Sequence, residues 1–379
     1  MSFGKKEKCC GCTACQSICC KMAITMQEDK EGFLYPQIDE SLCNNCGLCK
    51  KVCPIYEGYT NKCGNKLPKV FAATHKNEDL RRSSQSGGLF YALAERIIED
   101  NGTVYGCGYS NNMVVHMKVE TRDELKRLQG SKYVQSEIGD SFINVYNDLL
   151  NNKKVLFSAT SCHIAGLYKY LEFKRMNIDN LYTCDLVCHG VPSPLIYKEN
   201  LKYIETLHNS KIQTVNLRDK KRYGWHSSIE TYKLENGKVV ESRLFNELFY
   251  SNMILRPYCG VCEFSSIYKP ADITMGDYWG IEKAHKDLID DNWGISLALV
   301  NTKKGADLIK KCDLNLLESS VDKCIQPNLE GPSHISIQRS KFWNDYFNNG
   351  YNYILKKYTP NGGIPFKIKR KILKYLKKW

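Results

Sequence analysis

Two cysteine runs near the start of the chain decide its fold. The more regular run is CNNCGLCKKVCP, residues 43–54, and the earlier one is CCGCTACQSICC, residues 9–20. Both contain the spacing C-x2-C-x2-C-x3-C, carried by Cys9, Cys12, Cys15 and Cys19 and again by Cys43, Cys46, Cys49 and Cys53. An internal repeat of this kind indicates two equivalent halves of one small module.

The repeated spacing predicts two [4Fe–4S] clusters. Thiolate sulfur suits iron, and this is the spacing of two-cluster bacterial ferredoxins, in which the fourth cysteine of each run ligates the other cluster. We therefore assign the first cluster to Cys9, Cys12, Cys15 and Cys53 and the second to Cys43, Cys46, Cys49 and Cys19. The alternative is a pair of zinc knuckles, but zinc sites rarely use this run. The first run departs from the pattern at Cys20, where proline is usual, and Cys10 is surplus.

Composition favours a metal-binding protein of the cytoplasm. The chain has 379 residues, 42% of them apolar, and 19 cysteines. A cytoplasm keeps thiols reduced, so metal explains the cysteines better than disulfides do. We expect no signal peptide and no membrane span, because the start is short and polar and no apolar run reaches about 18 residues.

The positive charge is concentrated at the end of the chain. Of the net +13, seven charges follow Pro365, at Lys367, Lys369, Arg370, Lys371, Lys374, Lys377 and Lys378. This distribution argues against a nucleic-acid groove. Ile368, Ile372, Tyr375 and Trp379 share one helical face, which predicts a basic amphipathic helix in peripheral contact with the inner face of the membrane. The alternative is a terminal helix that packs its apolar face on the body.

The chain divides into five segments by composition and pattern. We predict an α+β ferredoxin-like 2[4Fe–4S] module, a linker, a mixed α/β flavin-binding body in two parts, and a C-terminal extension that carries the amphipathic helix. Their bounds are 1–59, 60–68, 69–150, 151–330 and 331–379. Cys63 in the linker is interpreted as a surface thiol. In the body, strands alternate with helices such as Leu89–Glu99, and a hairpin turn is predicted at Glu235–Lys238.

Three features of the body are candidates for chemistry. The loop Ser83–Gly88 precedes a helix, where free amides favour a phosphate, although a serine N-cap without a ligand is the common alternative. Four scattered cysteines are candidates for one further metal site, or else are inert core thiols: Cys162, Cys188, Cys259 and Cys262. The stretch Ala271–Gly280 predicts a strand ending in a turn with aromatics, which flank a planar ligand or pack a core.

Several motifs in order resemble one known family. The chain is similar, from about Val70 to about Asn301, to the beta subunits of coenzyme F-420 hydrogenases and dehydrogenases in the version fused to a ferredoxin module. The resemblance rests on residues 86–88 (SGG), 130–136 (GSKYVQS), 160–163 (TSCH), 188–193 (CHGVPS), 256–262 (RPYCGVC) and 271–280. One departure is Ser161-Cys162-His163, where the family more often has Pro-Cys-Gln.

The resemblance implies an iron–sulfur flavoprotein oxidoreductase. Family members bind FAD and pass electrons between clusters and a planar two-electron substrate, and ferredoxin-fused bacterial members often look associated with polysaccharide genes. It also strengthens the third [4Fe–4S] cluster at Cys162, Cys188, Cys259 and Cys262. Ser86, Gly87 and Gly88 are then expected at the flavin pyrophosphate. Lys132 is expected at the flavin or its phosphate, against the alternative of a surface lysine.

Three functions follow from these parts. The leading hypothesis is an enzyme that couples one-electron clusters to a two-electron flavin and a small-molecule substrate, with a ferredoxin or oxidoreductase as redox partner. The second is an electron relay that docks to a partner enzyme and has no substrate site. The third is a radical or redox modifier of a glycan precursor.

Overall fold

A computed structural model describes residues 6–61, 64, 66–286 and 291–360. Cys63 and the predicted amphipathic helix after Ile364 lie outside these residues. Within them the strands are β1 Ile24–Glu28, β2 Leu34–Ile38, β3 Lys69–His75, β4 Thr103–Ser110, β5 Met113–Val119, β6 Val155–Ser158, β7 Leu181–Leu186, β8 Ile212–Asn216, β9 Glu230–Leu234, β10 Val239–Ser242, β11 Ile273–Asp277, β12 Ser296–Val300 and β13 Leu314–Ser319.

Short helices outnumber long ones. The α-helices are α1 Ala14–Ser17, α2 Leu48–Lys51, α3 Glu78–Ser83, α4 Leu89–Glu99, α5 Arg122–Leu125, α6 Ser141–Leu150, α7 Ser161–Phe173, α8 Pro194–His208, α9 Lys220–Tyr223, α10 Leu244–Tyr250, α11 Ile281–Ala284, α12 Lys303–Ile309, α13 Val321–Cys324, α14 Pro327–Glu330 and α15 Arg339–Tyr358. Two 3₁₀ helices cover Lys6–Lys8 and Pro257–Val261. No helix of the described ranges is long and apolar enough to cross a membrane.

The body is mixed α/β, as predicted. Its main sheet has the order β13-β3-β12-β11-β7-β6-β4-β5. The central strands β11, β7, β6 and β4 run parallel, and antiparallel pairs flank them. Every residue of β6 and β12 is buried, which is expected of strands covered on both faces. Ligands of open α/β sheets bind beyond the carboxyl ends of the parallel strands, so a site is expected after β6 and β7.

Helices cover both faces of this sheet. On one face α4 presents Leu89, Leu93 and Ile97 to the sheet, at the helical spacing read from the sequence. On the other face lie α1, α6 and α7. A smaller sheet, β10-β9-β8, packs with α8, α10 and α15, and its β9–β10 hairpin turns at the predicted residues.

The N-terminal cysteine module consists of the β1–β2 hairpin with α1 and α2, and it shares its core with the body. Cys12 and Val52 of the module belong to one buried cluster with Phe142 and Leu167 of the body. Glu31, in the hairpin loop, forms an ion pair with Arg339 of α15. The module is thus anchored to the body on two sides.

Candidate functional site

The first cysteine group contains the four residues assigned to the first cluster. Burial raises the pKa of Cys15, and the charges of Cys9 and Cys53 raise it further. A hydrogen bond with Cys10 lowers the pKa of Cys12, but burial and the charges of Cys53 and Cys15 together raise it by more. The structure thus brings Cys9, Cys12, Cys15 and Cys53 together, although they come from both runs.

The second cysteine group lies next to the first. Burial raises the pKa of Cys49, and Cys46 and Cys43 contribute to the rise. Cys46 is exposed, so this group reaches the surface. Cys53 faces both Cys9 and Cys49, which makes the two groups neighbours. Cys19 follows α1, which packs against α2.

A third cysteine group lines one cavity of the body. Cys162, Cys188, Cys259 and Cys262, which are far apart in sequence, all contribute to its wall. Burial raises the pKa of Cys188 to about 12, and the charges of Cys162 and Cys262 add to the rise. Burial likewise raises the pKa of Cys259, with Cys188, Cys162 and Cys262 as further causes. These four thiols therefore act on one another.

Two loops at the carboxyl end of the parallel strands hold this third group. Cys162 lies in the first turn of α7, directly after β6, and Cys188 follows β7. The loop after β7 pairs with the segment before the 3₁₀ helix, because Arg256 N–H donates to the Val191 carbonyl at 2.9 Å. Val191 N–H also donates to Cys259 Sγ at 3.4 Å. Main-chain pairing thus sets the positions of Cys188 and Cys259.

The chemistry of these donors fits iron–sulfur clusters. Burial and the neighbouring cysteines disfavour the thiolate form, and a bound metal would supply the positive charge that stabilises it, since metal ligation requires the thiolate. Within the ranges that the structure describes, no three His, Cys, Asp or Glu side chains are close enough to hold a single ion. A cubane holds its four irons at separate corners, so its cysteines stand further apart than the ligands of one zinc ion. Four cysteine sulfurs in each set are ligands that suit the iron of a cluster.

Cys10, which the sequence leaves as surplus, lies between two of these groups. Its thiol hydrogen-bonds with both Cys12 and Cys162, and the first of these bonds is the largest cause of its raised pKa. Cys10 also lines the cavity of the third group. Its only sequence signal was its position beside Cys9. Each cysteine interacts with the next along a series that begins at the exposed Cys46 and ends at Cys259, and Cys10 connects the first group to the third.

The loop predicted at the flavin pyrophosphate is buried between strands. Gly87 N–H donates to Ser296 Oγ at 2.9 Å, and Ser86 Oγ donates to the Ile295 carbonyl at 2.7 Å. A Cβ at Gly87 would lie 2.1 Å from the Ala73 carbonyl oxygen, so packing against β3 accounts for this glycine. Gly88 N–H donates to the Gln85 carbonyl at 3.2 Å. The Gly87 and Gly88 amides thus have partners within the protein.

A basic pocket of about 530 Å³ lies beside that loop, and its size is that of a ligand site. Residues 83–85 and Gly130-Ser131 line it, so two of the sequence motifs meet there. Four of its seven basic residues come from a segment that the sequence reading overlooked, RDKKR at residues 218–222, although these residues were visible in the sequence.

Two lysines near this pocket have depressed pKa values. Lys132 donates to the Gln129 carbonyl at 2.7 Å, and burial lowers its pKa to about 8. Burial also lowers the pKa of Lys220 to about 7, and Arg81 and Arg218 lower it further. Lys220 Nζ donates to three carbonyls, so its protons are used within the protein.

Aromatic rings connect the third cysteine group with the basic pocket. His189 lines the cavity of the cysteines and lies 5.6 Å from the ring of Tyr250, which lies 6.3 Å from that of Tyr133. Tyr133 in turn interacts with Arg218 of the pocket. The ring series thus spans the distance between the two sites.

The aromatic turn at the end of β11 also contacts Arg218 of the basic pocket. Trp279 stacks on buried Trp225 at 4.8 Å and is 42% exposed, and Arg218 lies over its ring. Asp277 accepts from both Trp225 Nε1 and Arg218 Nη1. Tyr278 is buried in the core instead. Of the turn's aromatics, Trp279 is therefore the one that a planar ligand could reach.

Comparison with known proteins confirms the family resemblance. Residues 152–320 match the family model described as coenzyme F420 hydrogenase/dehydrogenase, beta subunit (C terminus), and residues 36–56 match a 4Fe–4S binding domain. A subunit of the F(420)H(2) dehydrogenase of Methanosarcina mazei is 22% identical over 328 residues, which cover 80% of this chain and 88% of that protein.

Two further relatives are shorter or more distant. The ferredoxin-type protein NapF of Escherichia coli is 41% identical over 44 residues, 12% of this chain, and the match spans only 27% of NapF. A chain of the xenon-derivatised F420-reducing [NiFe] hydrogenase complex from Methanosarcina barkeri aligns with a TM-score of 0.46 at 16% identity, covering 68% of this chain and 84% of that one.

Proposed function

We propose that this chain is a member of the family of coenzyme F-420 hydrogenase and dehydrogenase beta subunits and carries electrons through three [4Fe–4S] clusters to an FAD and a small two-electron substrate. One observation carries the proposal: the series of cysteine sulfurs from the surface at Cys46 to the buried cavity at Cys259. Electrons from a partner protein, a ferredoxin or an oxidoreductase, enter at the exposed group. The chain then operates in the cytoplasm, where thiols stay reduced.

Each cluster has a proposed set of ligands. The first is held by Cys9, Cys12, Cys15 and Cys53, the second by Cys43, Cys46, Cys49 and Cys19, and the third by Cys162, Cys188, Cys259 and Cys262. Main-chain donors support these sulfurs, as Val191 N–H does at Cys259. Hydrogen bonds to cluster sulfur tune the reduction potential. Lys269, which is buried and donates to the Phe264 carbonyl, places a positive charge near Cys188 and Cys262.

The basic pocket is the proposed FAD site. A flavin, when bound, stores two electrons and converts one-electron supply into hydride transfer. Its pyrophosphate needs positive charge, which Arg127, Lys221 and Arg222 provide from exposed positions around the pocket. Ser86, Gly87 and Gly88 follow the lining residue Gln85, and Lys132 follows the lining residue Ser131, so in this proposal they support the wall of the pocket. Their protons have acceptors within the protein.

Metal content tests the third cluster. Replacing Cys259 and Cys262 together with serine should remove about four irons and four sulfides from anaerobically purified full-length protein, since a cubane needs four ligands. A matched control replaces Cys312 and Cys324, buried thiols that donate to helix carbonyls as serine also can. This control should keep all its iron. Equal iron in both double variants would show that Cys259 and Cys262 are ordinary thiols.

Flavin retention tests the basic pocket. The purified protein should release FAD on denaturation, and Lys221→Glu with Arg222→Glu should weaken FAD binding at least tenfold. Lys310→Glu with Lys311→Glu, at the exposed end of α12, serves as the control of equal charge change. If both double variants retain FAD equally, the flavin lies elsewhere.

The alternative function is an electron relay without a substrate site. The internal partners of the Gly87 and Gly88 amides favour it, because those amides are not available to a pyrophosphate. Purified protein that holds its iron, contains no FAD after reconstitution and reduces a partner protein would support the relay. A substrate from polysaccharide biosynthesis is proposed on the family resemblance alone.

A further inference from the structure

Arg256 is a fully buried cation that joins the first cysteine group to the body. Its Nε donates to the Cys9 carbonyl at 2.7 Å, and its Nη1 donates to Gln135 Oε1 at 2.8 Å. Its Nη2 donates to the Leu34 carbonyl at 2.9 Å and lies 3.6 Å from Cys9 Sγ. The guanidinium is thus held against a sulfur that we assign to a cluster.

The charges that face Arg256 are those of cysteine and tyrosine. Burial lowers the pKa of its guanidinium, but the charges of Cys9, Tyr35, Cys10 and Cys259 raise it by more. In the described part of the chain, no carboxylate accepts a hydrogen bond from Arg256 or lies within ion-pair distance of it. A buried charge without a counter-ion is costly, so the anion that balances Arg256 is to be sought among the cysteines.

Two other arginines show the ordinary arrangement. Arg218, also buried, pairs with Asp277, and Arg339 pairs with Glu31. Arg339 donates to the Leu255 carbonyl, one residue from Arg256, so it belongs to the same region. Arg256 therefore differs from these two arginines in its partner, which is Cys9 and not a carboxylate.

The surroundings of Arg256 leave room for a guanidinium and fix its plane. The ring centroids of Tyr35 and Phe33 lie 4.3 and 5.5 Å from its Cζ. Gly11 has a positive φ of 76°, and a Cβ there would lie 2.8 Å from Arg256 Nη1. The cysteine loop therefore closes around Arg256 only because residue 11 has no side chain.

We propose that Arg256 is a positioning residue that raises the reduction potential of the cluster at Cys9. Reduction adds one electron, and hence one negative charge, to that cluster, and the electron comes from the neighbouring group at Cys43–Cys49. A fixed positive charge and an N–H···S hydrogen bond favour the more negative, reduced form. Arg256 also faces Cys259, so it lies between the first and third clusters of the proposed function, on which this inference rests.

Redox titration of the full-length protein tests the role of Arg256. Anaerobically purified Arg256→Gln, followed by electron paramagnetic resonance, should lower one cluster's potential by at least 59 mV, a tenfold change in a one-electron equilibrium. Arg256→Lys keeps the charge but loses the fixed hydrogen-bond geometry, so its shift should be smaller and still measurable. Arg339→Gln, which removes the arginine paired with Glu31, should leave every potential unchanged.

The outcomes separate this inference from the proposed function. Unchanged potentials in an Arg256→Gln protein with full iron content would overturn the role of Arg256 and leave the clusters in place. Where Arg256→Gln does not fold, Arg256→Met also removes the charge, and a wild-type potential in that variant with full iron content overturns the role equally. Wild-type protein without iron after reconstitution would instead overturn the proposed function.

Discussion

Gly166 of α7 offers a sharp test of how the body supports the first cluster. A Cβ at this position would lie 2.8 Å from Cys12 Sγ and 2.9 Å from Cys12 Cβ, whereas ordinary contact begins at 3.4 Å. Alanine therefore requires a separation of about 0.6 Å, which overpacks the core at a cost of about 1–3 kcal/mol. The better helix propensity of alanine returns about 1 kcal/mol. The net effect on folding is small, but Cys12 must move.

The expected result of Gly166→Ala is a loss of cluster without a loss of fold. Iron should fall by about four atoms per chain, since a cubane lacks one well-placed ligand, while circular dichroism keeps its helical signal. Gly331→Ala is the control, because a Cβ there meets nothing within 4 Å and its φ of −174° suits any residue. Full iron and unchanged cluster spectra in Gly166→Ala would refute the close packing of α7 on Cys12.

Two further predictions concern stability. Gly87→Ala should lower the free energy of unfolding by about 3 kcal/mol, the upper end for overpacking, because its Cβ would meet the Ala73 carbonyl. Urea denaturation measures this change, with Gly331→Ala as the control. Equal midpoints of the two variants would contradict the prediction. His116 faces His163 and accepts from Ser136, and burial lowers its pKa to about 3. Its neutral form contributes stability above its unfolded pKa near 6.5. That contribution is lost as the pH falls, about 2 kcal/mol by pH 5. His116→Asn should remove this part of the pH dependence, and an unchanged profile would contradict the assignment.

Local pattern predicted the elements of the fold well. Helix α4 has the bounds read from the sequence, and the turn predicted at Glu235–Lys238 connects β9 to β10. The cysteine spacing predicts the ligands of the first two clusters, because three cysteines of each set lie within seven positions of one another. These features depend on periodicity and spacing, which a sequence displays directly.

The features that sequence reasoning missed depend on long-range contact. Arg256 and Cys9 are separated by 247 positions, so no local pattern relates them. Gly87 shows a different difficulty, since a glycine before a helix serves a phosphate or a close strand equally well. Which of the two roles Gly87 has depends on the neighbouring strand, and only the assembled sheet brings Ala73 next to Gly87.

The shared core of the module and the body has a consequence for biosynthesis. Cys9 and Cys12 are translated before the residues that enclose them, Gly166 and Arg256, which follow more than 150 positions later. Until then the first cysteine group has an open side. Metal delivery to it must therefore either precede closure by the nascent chain or act on a finished chain that reopens.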